Sequence, residues 1–450
     1  MVYKIRISIL LSLLSLLVLG SISQAQTVTA DSVKEQFLHA WNAYKQYAWG
    51  HDELKPLSKQ PKDWYGTSLE MTPIDAYDGL VIMGLKDQAE EAKKLILDSL
   101  SFNKNIEIQS FEITIRLLGG LLSAFQLNDD DRFLDLAKDL GNRLLPVFNS
   151  ATGMPYRFVN LQTGKIRDSI NNPAEIGTSL IEFGMLSKFT DDSTYYTKAK
   201  KALVSLFQHR SKIGLVGSWI NVETGEWTDK SSHIGGGIDS YYEYLMKAWL
   251  LFGDKDCKDM YEEHIKAINM YVADSSNGGL WYGQVDMDTG KRTGTEYGAL
   301  EAFFPAVLCL SGDLDRAKRL QASSFQMWNL NGIEPDEIDY KKMEAIDKQY
   351  YLRPEIIESA YYLYHYTGDS SYIKMGEVFY HNIVKYCRLD DGFAMLKDVT
   401  TKEKDDAMQS FFFAETLKYL YLLFAPPSAL NFDKYIFNTE AHPIRRAWEE

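Results

Sequence analysis

Acidic residues recur along this chain in surroundings that are otherwise apolar. Asp75 and Asp78, Glu112, Glu175, Asp239, Glu301, Glu355 with Glu358, and Glu415 each stand near the start of a largely hydrophobic run. A carboxylate moved into an apolar interior is costly unless it is paired or protonated, and functional sites are where that cost is tolerated. The helix macrodipole accounts for any one acid at a helix start, but it does not account for a whole series set in sequence that should be buried. Two chemistries use such a set. A pair of carboxyl groups can hydrolyse a glycosidic bond, one donating a proton and the other activating water, and a ring of oxygen ligands can hold Ca²⁺. Arg116 follows Glu112 by one helical turn and shares its face. A cation that close favours the ionised form of a carboxyl, the wrong direction for a proton donor, so burial or further carboxylates must offset it.

Competing chemistries lack their motifs. No HExxH zinc helix, GxxxxGK[ST] phosphate loop or GxSxG elbow occurs, and 8 histidines offer little to a zinc enzyme. The formal charge of -14 argues against nucleic-acid binding, which calls for a basic stripe. The 28 tyrosines and 9 tryptophans would suit sugar stacking, although core packing uses aromatic residues equally well. Cys257, Cys309 and Cys387 lie in apolar or amphipathic surroundings without metal-ligand spacing. One disulfide could form and an odd thiol would remain, so buried thiols are expected.

The elements that must carry the acids form a repeat. An apolar helix, a short Gly/Asp loop and an amphipathic helix recur, with loops at Gly84–Asp87, Asn128–Asp130, Thr190–Asp192, Gly253–Asp254, Gly312–Asp313, Gly368–Asp369 and Ala425–Ser428. The spacing settles at roughly 60 residues, enough for two helices and two connections. FEITIRLLGGLLSAFQLNDD, from Phe111 to Asp130, shows the apolar member: ionisable groups at its mouth, then small and apolar residues on every side. A helix apolar all round belongs inside a large core. Inner helices wrapped by outer ones give an all-α, (α/α)7 barrel. An open solenoid is the alternative, disfavoured by the short loops and by the lack of a polar capping repeat. Segments near 159–165, 218–230 and 278–292 are rich in Gly, Asn, Asp and Thr and read as long loops or β-hairpins at one end of the barrel, the end to which the acids point.

The first residues predict export. Lys4 and Arg6 precede an apolar run, Ile7 to Ser21, and Ser23-Gln24-Ala25 offers small residues for cleavage. The run is short for a membrane span, and no later segment is long and apolar enough for one. The expected organisation is a signal peptide over 1–25 and one catalytic domain over 26–450, in a secreted or periplasmic protein.

Six ordered blocks carry a resemblance: FEITIRLLGGLLSAF, AEIGTSLIEF, DSYYEYLMKAW, LRPEIIESAYYLYHYTGD, SFFFAETLKYLYLLF and FNTEAHP. Together, from about Trp49 to Pro443, the chain resembles glycoside hydrolase family 47, the class I α-1,2-mannosidases and their relatives. The resemblance implies an (α/α)7 barrel and inverting, Ca²⁺-dependent removal of terminal α-1,2-linked mannose from a high-mannose oligosaccharide or glycoprotein glycan. It implies Glu112 as proton donor, acting through a water, and Glu355 as the base, with Asp239 the other catalytic acid and a rival for either role. It places Arg116, Glu175, Arg353, Glu358, Phe411 and Glu415 around the mannose. It gives Thr439 to Ca²⁺ through its hydroxyl and carbonyl, with Glu440 acting through water. Gly79, Gly237, Gly298, Ala299, Ala302 and Gln409 depart from the family pattern, which leaves the choice of mannose branch open. A mannose-binding recognition protein with little turnover is the alternative function.

Overall fold

The computed structural model describes residues 27–446, so the expected signal segment lies outside the described residues. In chain order the main helices are α1 (Ala30–Ala48), α2 (Met71–Ile82), α3 (Lys86–Ser99), α4 (Ser110–Ile113, Thr114–Leu118 and Gly119–Asn128), α5 (Asp131–Leu144), α6 (Leu180–Thr190) and α7 (Thr194–Gln208). There follow α8 (Asp239–Phe252), α9 (Lys255–Ala267), α10 (Phe304–Ser311), α11 (Leu314–Leu330), α12 (Glu355–Thr367), α13 (Ser371–Cys387) and α14 (Phe412–Thr416 and Leu417–Phe424). The even-numbered helices form the inner ring. α2 is buried without interruption from Met71 to Leu80, and α6 from Leu180 to Leu186, as helices apolar on all sides require. The odd-numbered helices are amphipathic. α5 buries Phe133, Ala137, Leu140 and Leu144, one stripe at helical spacing, and shows its charges to solvent. Each inner helix packs on the next, and α2 also packs against the Phe412–Thr416 turn of α14. The ring therefore closes into an (α/α)7 barrel, and the open solenoid is ruled out.

Local chemistry explains the Gly/Asp loops. Five of the seven inner helices end on a left-handed residue, Asp129 at φ 55, Asp191 at 54, Gly253 at 65, Gly312 at 85 and Gly368 at 65. The following aspartate then caps an outer helix. Asp130 accepts from the Arg132 N–H, Asp254 from that of Cys257 and Asp313 from that of Arg316, each cap being worth about 1 kcal/mol.

The connections back to the inner ring carry antiparallel strands. Glu107–Gln109 pairs with Phe158–Asn160, which pairs with Ile166–Arg167. Trp219–Asn221 pairs with Trp227–Asp229, and Gln284–Asp286 with Arg292–Gly294. These connections precede the inner helices, so they frame the end where those helices begin. From the far end a last hairpin, Tyr435–Phe437 with Pro443–Arg445, runs up the barrel axis. Its base is tied to α4 by Gln126, which accepts from the Arg445 N–H at 2.8 Å, and its turn reaches the middle of α4. Cys257, Cys309 and Cys387 are buried free thiols. Among the described residues no helix is long and apolar enough to cross a membrane.

Candidate active site

A pocket of about 390 Å³ opens at the end where the inner helices begin. Eight carboxylates line it, Glu112, Glu175, Asp239, Glu243, Glu355, Glu358, Glu415 and Glu440, against the two guanidinium groups of Arg116 and Arg353. Every site residue expected from sequence is in the wall, Phe411 and Thr439 included. Three of the recurrent acids are not. Asp78 lies one turn deeper than Asp75 and is wholly buried. It accepts from Lys418 Nζ at 2.6 Å and from Ser123 Oγ at 3.2 Å, and His442 Nδ1 is 2.7 Å away. Asp75 faces His442 and stands behind Arg116, 3.6 Å from its Nη1. Glu301 accepts from the Gly298 N–H at 2.9 Å in the turn ahead of α10. Counting back from a loop gives height along a helix, not the direction a side chain faces.

The helix that carries Glu112 and Arg116 is not regular. Thr114–Leu118 is a π turn set between two α-helical stretches, an insertion that recurs at functional sites because it rotates the residues on either side. Arg116 Nε donates to Glu112 Oε2 at 2.9 Å, and its Nη1 bonds Glu440. Its guanidinium also stands 5.3 Å from the ring centre of Trp64 and 5.7 Å from that of Phe411. Burial opposes the charge on Arg116, but Glu440, Glu112 and Asp75 outweigh it and hold the guanidinium firmly protonated. α14 repeats the device, with Glu415 inside the π turn Phe412–Thr416.

Asp239 opens α8. Its Oδ1 accepts from the Ser240 N–H at 2.8 Å, yet burial, reinforced by Glu243 and Glu355, pushes its carboxyl up to about 7. Glu355 opens α12, and burial likewise raises it to about 7 although Arg353 pulls the other way, with Nη1 3.9 Å from Oε1. The approach to Glu355 is strained. Leu352 is a buried, non-glycine residue at φ 62, a conformation that persists only where neighbours enforce it. Thr416 Oγ1 supplies part of that enforcement by donating to the Leu352 carbonyl at 2.6 Å. Arg353 is anchored in turn, Nε donating to Asp336 Oδ1 at 3.1 Å.

Glu175 is fixed by three neighbours. Its Oε1 accepts from Gln109 at 2.9 Å, Asn172 at 3.0 Å and Arg157 Nη2 at 2.9 Å, while Oε2 takes the Arg157 Nε at 3.1 Å. At the floor, burial pushes Glu358 and Glu440 upward, with Lys247 pulling Glu358 and the paired Arg116 pulling Glu440 back toward the ionised form. Burial also raises Glu415, with Glu440, Glu355 and Glu358 adding to it. Thr439 sits among these carboxylates, its N–H donating to Tyr244 Oη at 3.3 Å. Among the described residues no three His, Cys, Asp or Glu side chains converge closely enough to ligate a metal directly. Thr439, beside these carboxylates in the wall, offers a hydroxyl and a backbone carbonyl, and hard oxygen donors of this kind fit Ca²⁺ better than a softer ion.

Sequence reasoning passed over Trp64, Gln109, Asn172 and Glu243, all of them in the wall. Glu243 was within reach, since Asp239, Glu243 and Lys247 fall on one stripe of α8 and the last two form a buried ion pair. Trp64, Gln109 and Asn172 come from connecting segments whose direction no periodicity reveals.

Comparison with known proteins gives a consistent set of likenesses. The family model described as glycosyl hydrolase family 47 matches residues 36–446. An alpha-mannosidase I of Arabidopsis thaliana is 36% identical over 453 residues, covering 93% of this chain and 78% of its own. The human ER degradation-enhancing alpha-mannosidase-like protein 2 is 37% identical over 449 residues, with 92% of this chain and 77% of its own covered. Among solved structures, an alpha-1,2-mannosidase from Trichoderma reesei superposes with a TM-score of 0.86 at 28% identity, covering 93% of this chain and 99% of that one.

Proposed function

The chain belongs to glycosyl hydrolase family 47, and from that premise we propose that it is an exported, exo-acting α-1,2-mannosidase, inverting and Ca²⁺-dependent, that removes terminal α-1,2-linked mannose from high-mannose glycans. One observation carries the reading: Glu112, Asp239 and Glu355, far apart in sequence, converge on a single pocket, two of them held near neutrality by burial. Carboxyls poised there can give and take protons at physiological pH.

The roles follow from position. Glu355, anchored through Arg353 and the Leu352 bend, is the base that takes a proton from the attacking water. Glu112 supplies a proton to the leaving oxygen through a water, and Arg116 holds its carboxylate in place. Asp239, its carboxyl pushed up by burial, is the second acid. Glu175, Arg353, Glu358, Phe411 and Glu415 surround the departing mannose, Phe411 offering a ring face and the others hydrogen bonds. Thr439 would hold Ca²⁺ through its hydroxyl and carbonyl, with Glu440 and its neighbours binding the metal's waters. The ion would supply positive charge and orient the sugar hydroxyls. Export rests on the basic and apolar run from Met1 to Ser21.

The test is mannose release from an α-1,2-linked mannose disaccharide, with the anomer formed first read by NMR. Release that a calcium chelator abolishes, with inversion, supports the proposal. The likeness to a mannosidase-like protein favours one other reading, a mannose-binding protein with little turnover, and tight binding without release would select it.

A further inference from the structure

The turn of the axial hairpin touches α4 through one side chain. Asn438 is wholly buried, and all four hydrogen-bonding positions of its carboxamide are in use. Its Oδ1 accepts from the Glu440 N–H at 3.0 Å and the His442 N–H at 2.8 Å. Its Nδ2 donates to the Ile115 carbonyl at 2.8 Å and to Glu182 Oε1 at 2.9 Å. Ile115 belongs to the π turn of α4, next to Arg116 and three residues beyond Glu112. On the other side of the amide are Thr439 and Glu440. α4 makes room for the contact, because a Cβ on Gly119 would stand 2.5 Å from Asn438 Nδ2. The Arg116–Glu440 ion pair spans the same gap.

We infer that Asn438 is a positioning residue for catalysis, its carboxamide locking the π turn that carries Glu112 and Arg116 to the segment that carries Thr439 and Glu440, so that proton donor and calcium-holding segment keep one relative placement. This rests on the proposed function for its catalytic meaning and on the four bonds for its geometry. No other side chain of similar size reproduces the set. Aspartate keeps the two acceptor contacts, loses both donors and sets a second carboxylate against Glu182, and leucine offers nothing to any partner. A buried amide with four partners carries several times the usual net worth of one hydrogen bond, and outer groups that orient metal ligands typically change affinity or activity 10- to 100-fold when removed.

The experiment compares the wild-type protein with Asn438→Ala, Asn438→Asp and Gly119→Ala by amide hydrogen exchange, Ca²⁺ affinity from chelator competition, and kcat on the α-1,2-linked disaccharide. In Asn438→Ala, exchange should quicken in residues 112–120 and 438–442 together, while Ca²⁺ affinity and kcat each fall about 10- to 100-fold. Quickening confined to 438–442, or wild-type Ca²⁺ affinity in a folded variant, overturns the inference. If Asn438→Ala does not fold, Gly119→Ala, which displaces the same carboxamide without removing it, is read by the same criteria. A wild-type protein that neither binds Ca²⁺ nor releases mannose defeats the proposed function instead, and the exchange in 112–120 then decides the coupling alone.

Discussion

In the proposed reaction Asp239 and Glu355 exchange protons, and one cause, burial, lifts each carboxyl to about 7. The base must be ionised and the acid protonated, so kcat/KM should follow a narrow bell rather than a plateau. Ca²⁺ at Thr439 would favour ionised carboxylates, placing the centre at or below pH 7. An optimum above pH 8 would contradict the assignment. Replacing Glu112 by Gln keeps the hydrogen bond to Arg116 possible but removes the proton. Turnover should drop by about 10²- to 10⁴-fold while binding of a mannose ligand by calorimetry stays near wild type, and near-normal turnover in Glu112→Gln would take the donor role away from it.

At the level of elements, two π turns and one left-handed residue set the wall. Thr416→Val leaves the buried Leu352 carbonyl without its partner, at a cost of about 1–3 kcal/mol, and frees the bend that aims Glu355. Denaturant unfolding should show that loss, and kcat should fall about tenfold as the base drifts. Stability lost with kcat intact would mean that the strain at Leu352 is held by other contacts. Asp313→Ala is the contrasting case. It removes an N-cap from the outer helix α11 at the far end from the pocket, and should cost about 1 kcal/mol with kcat unchanged. The contrast also marks what the sequence could disclose. Apolar and amphipathic helices alternate in the letters because burial decides composition, and the Gly-Asp and Asp-Asp pairs announce a left-handed end followed by a cap. A π turn has no such signature. Nothing in TIRLL distinguishes bonding five residues back from bonding four, since the extra residue is stabilised by distant partners such as Asn438. The same limit explains Asp78 and Glu301. Their apolar settings suggest an axial site, but Asp78 is made tolerable by Lys418 and His442, 340 and 364 positions away, and Glu301 by the Gly298 N–H in the turn just before it.

Across the whole molecule, burial raises the pKa of many acids. Glu70 and Glu182 are pushed to about 7 and Glu301 to about 8. Each holds its proton more tightly in the fold than in the unfolded chain. Its contribution is therefore fully present below its unfolded pKa near 4 and is lost as pH rises through 7 to 8. His442, raised to about 9 by Asp78 and Asp75 against its own burial, acts in the same direction, losing its contribution above neutrality. In chelator, the unfolding temperature should fall steadily between pH 5 and pH 9, and a rising or flat profile would show that these groups ionise in the native state at little cost.

The axial hairpin has a temporal consequence. Asn438 meets Ile115 across 323 positions of sequence, and Glu440 meets Arg116 across 324. A nascent chain emerging from the ribosome presents Glu112, Asp239 and Glu355 long before the turn that forms their floor. All seven inner helices can be in place while Arg116 still lacks Glu440 and Thr439 has not arrived. Synthesis thus has a built-in delay between assembling the barrel and arming it. Translation halted between Phe424 and Asn438 yields a ring with its proposed catalytic acids and no floor beneath them, so activity becomes a report that the hairpin has been made and threaded home.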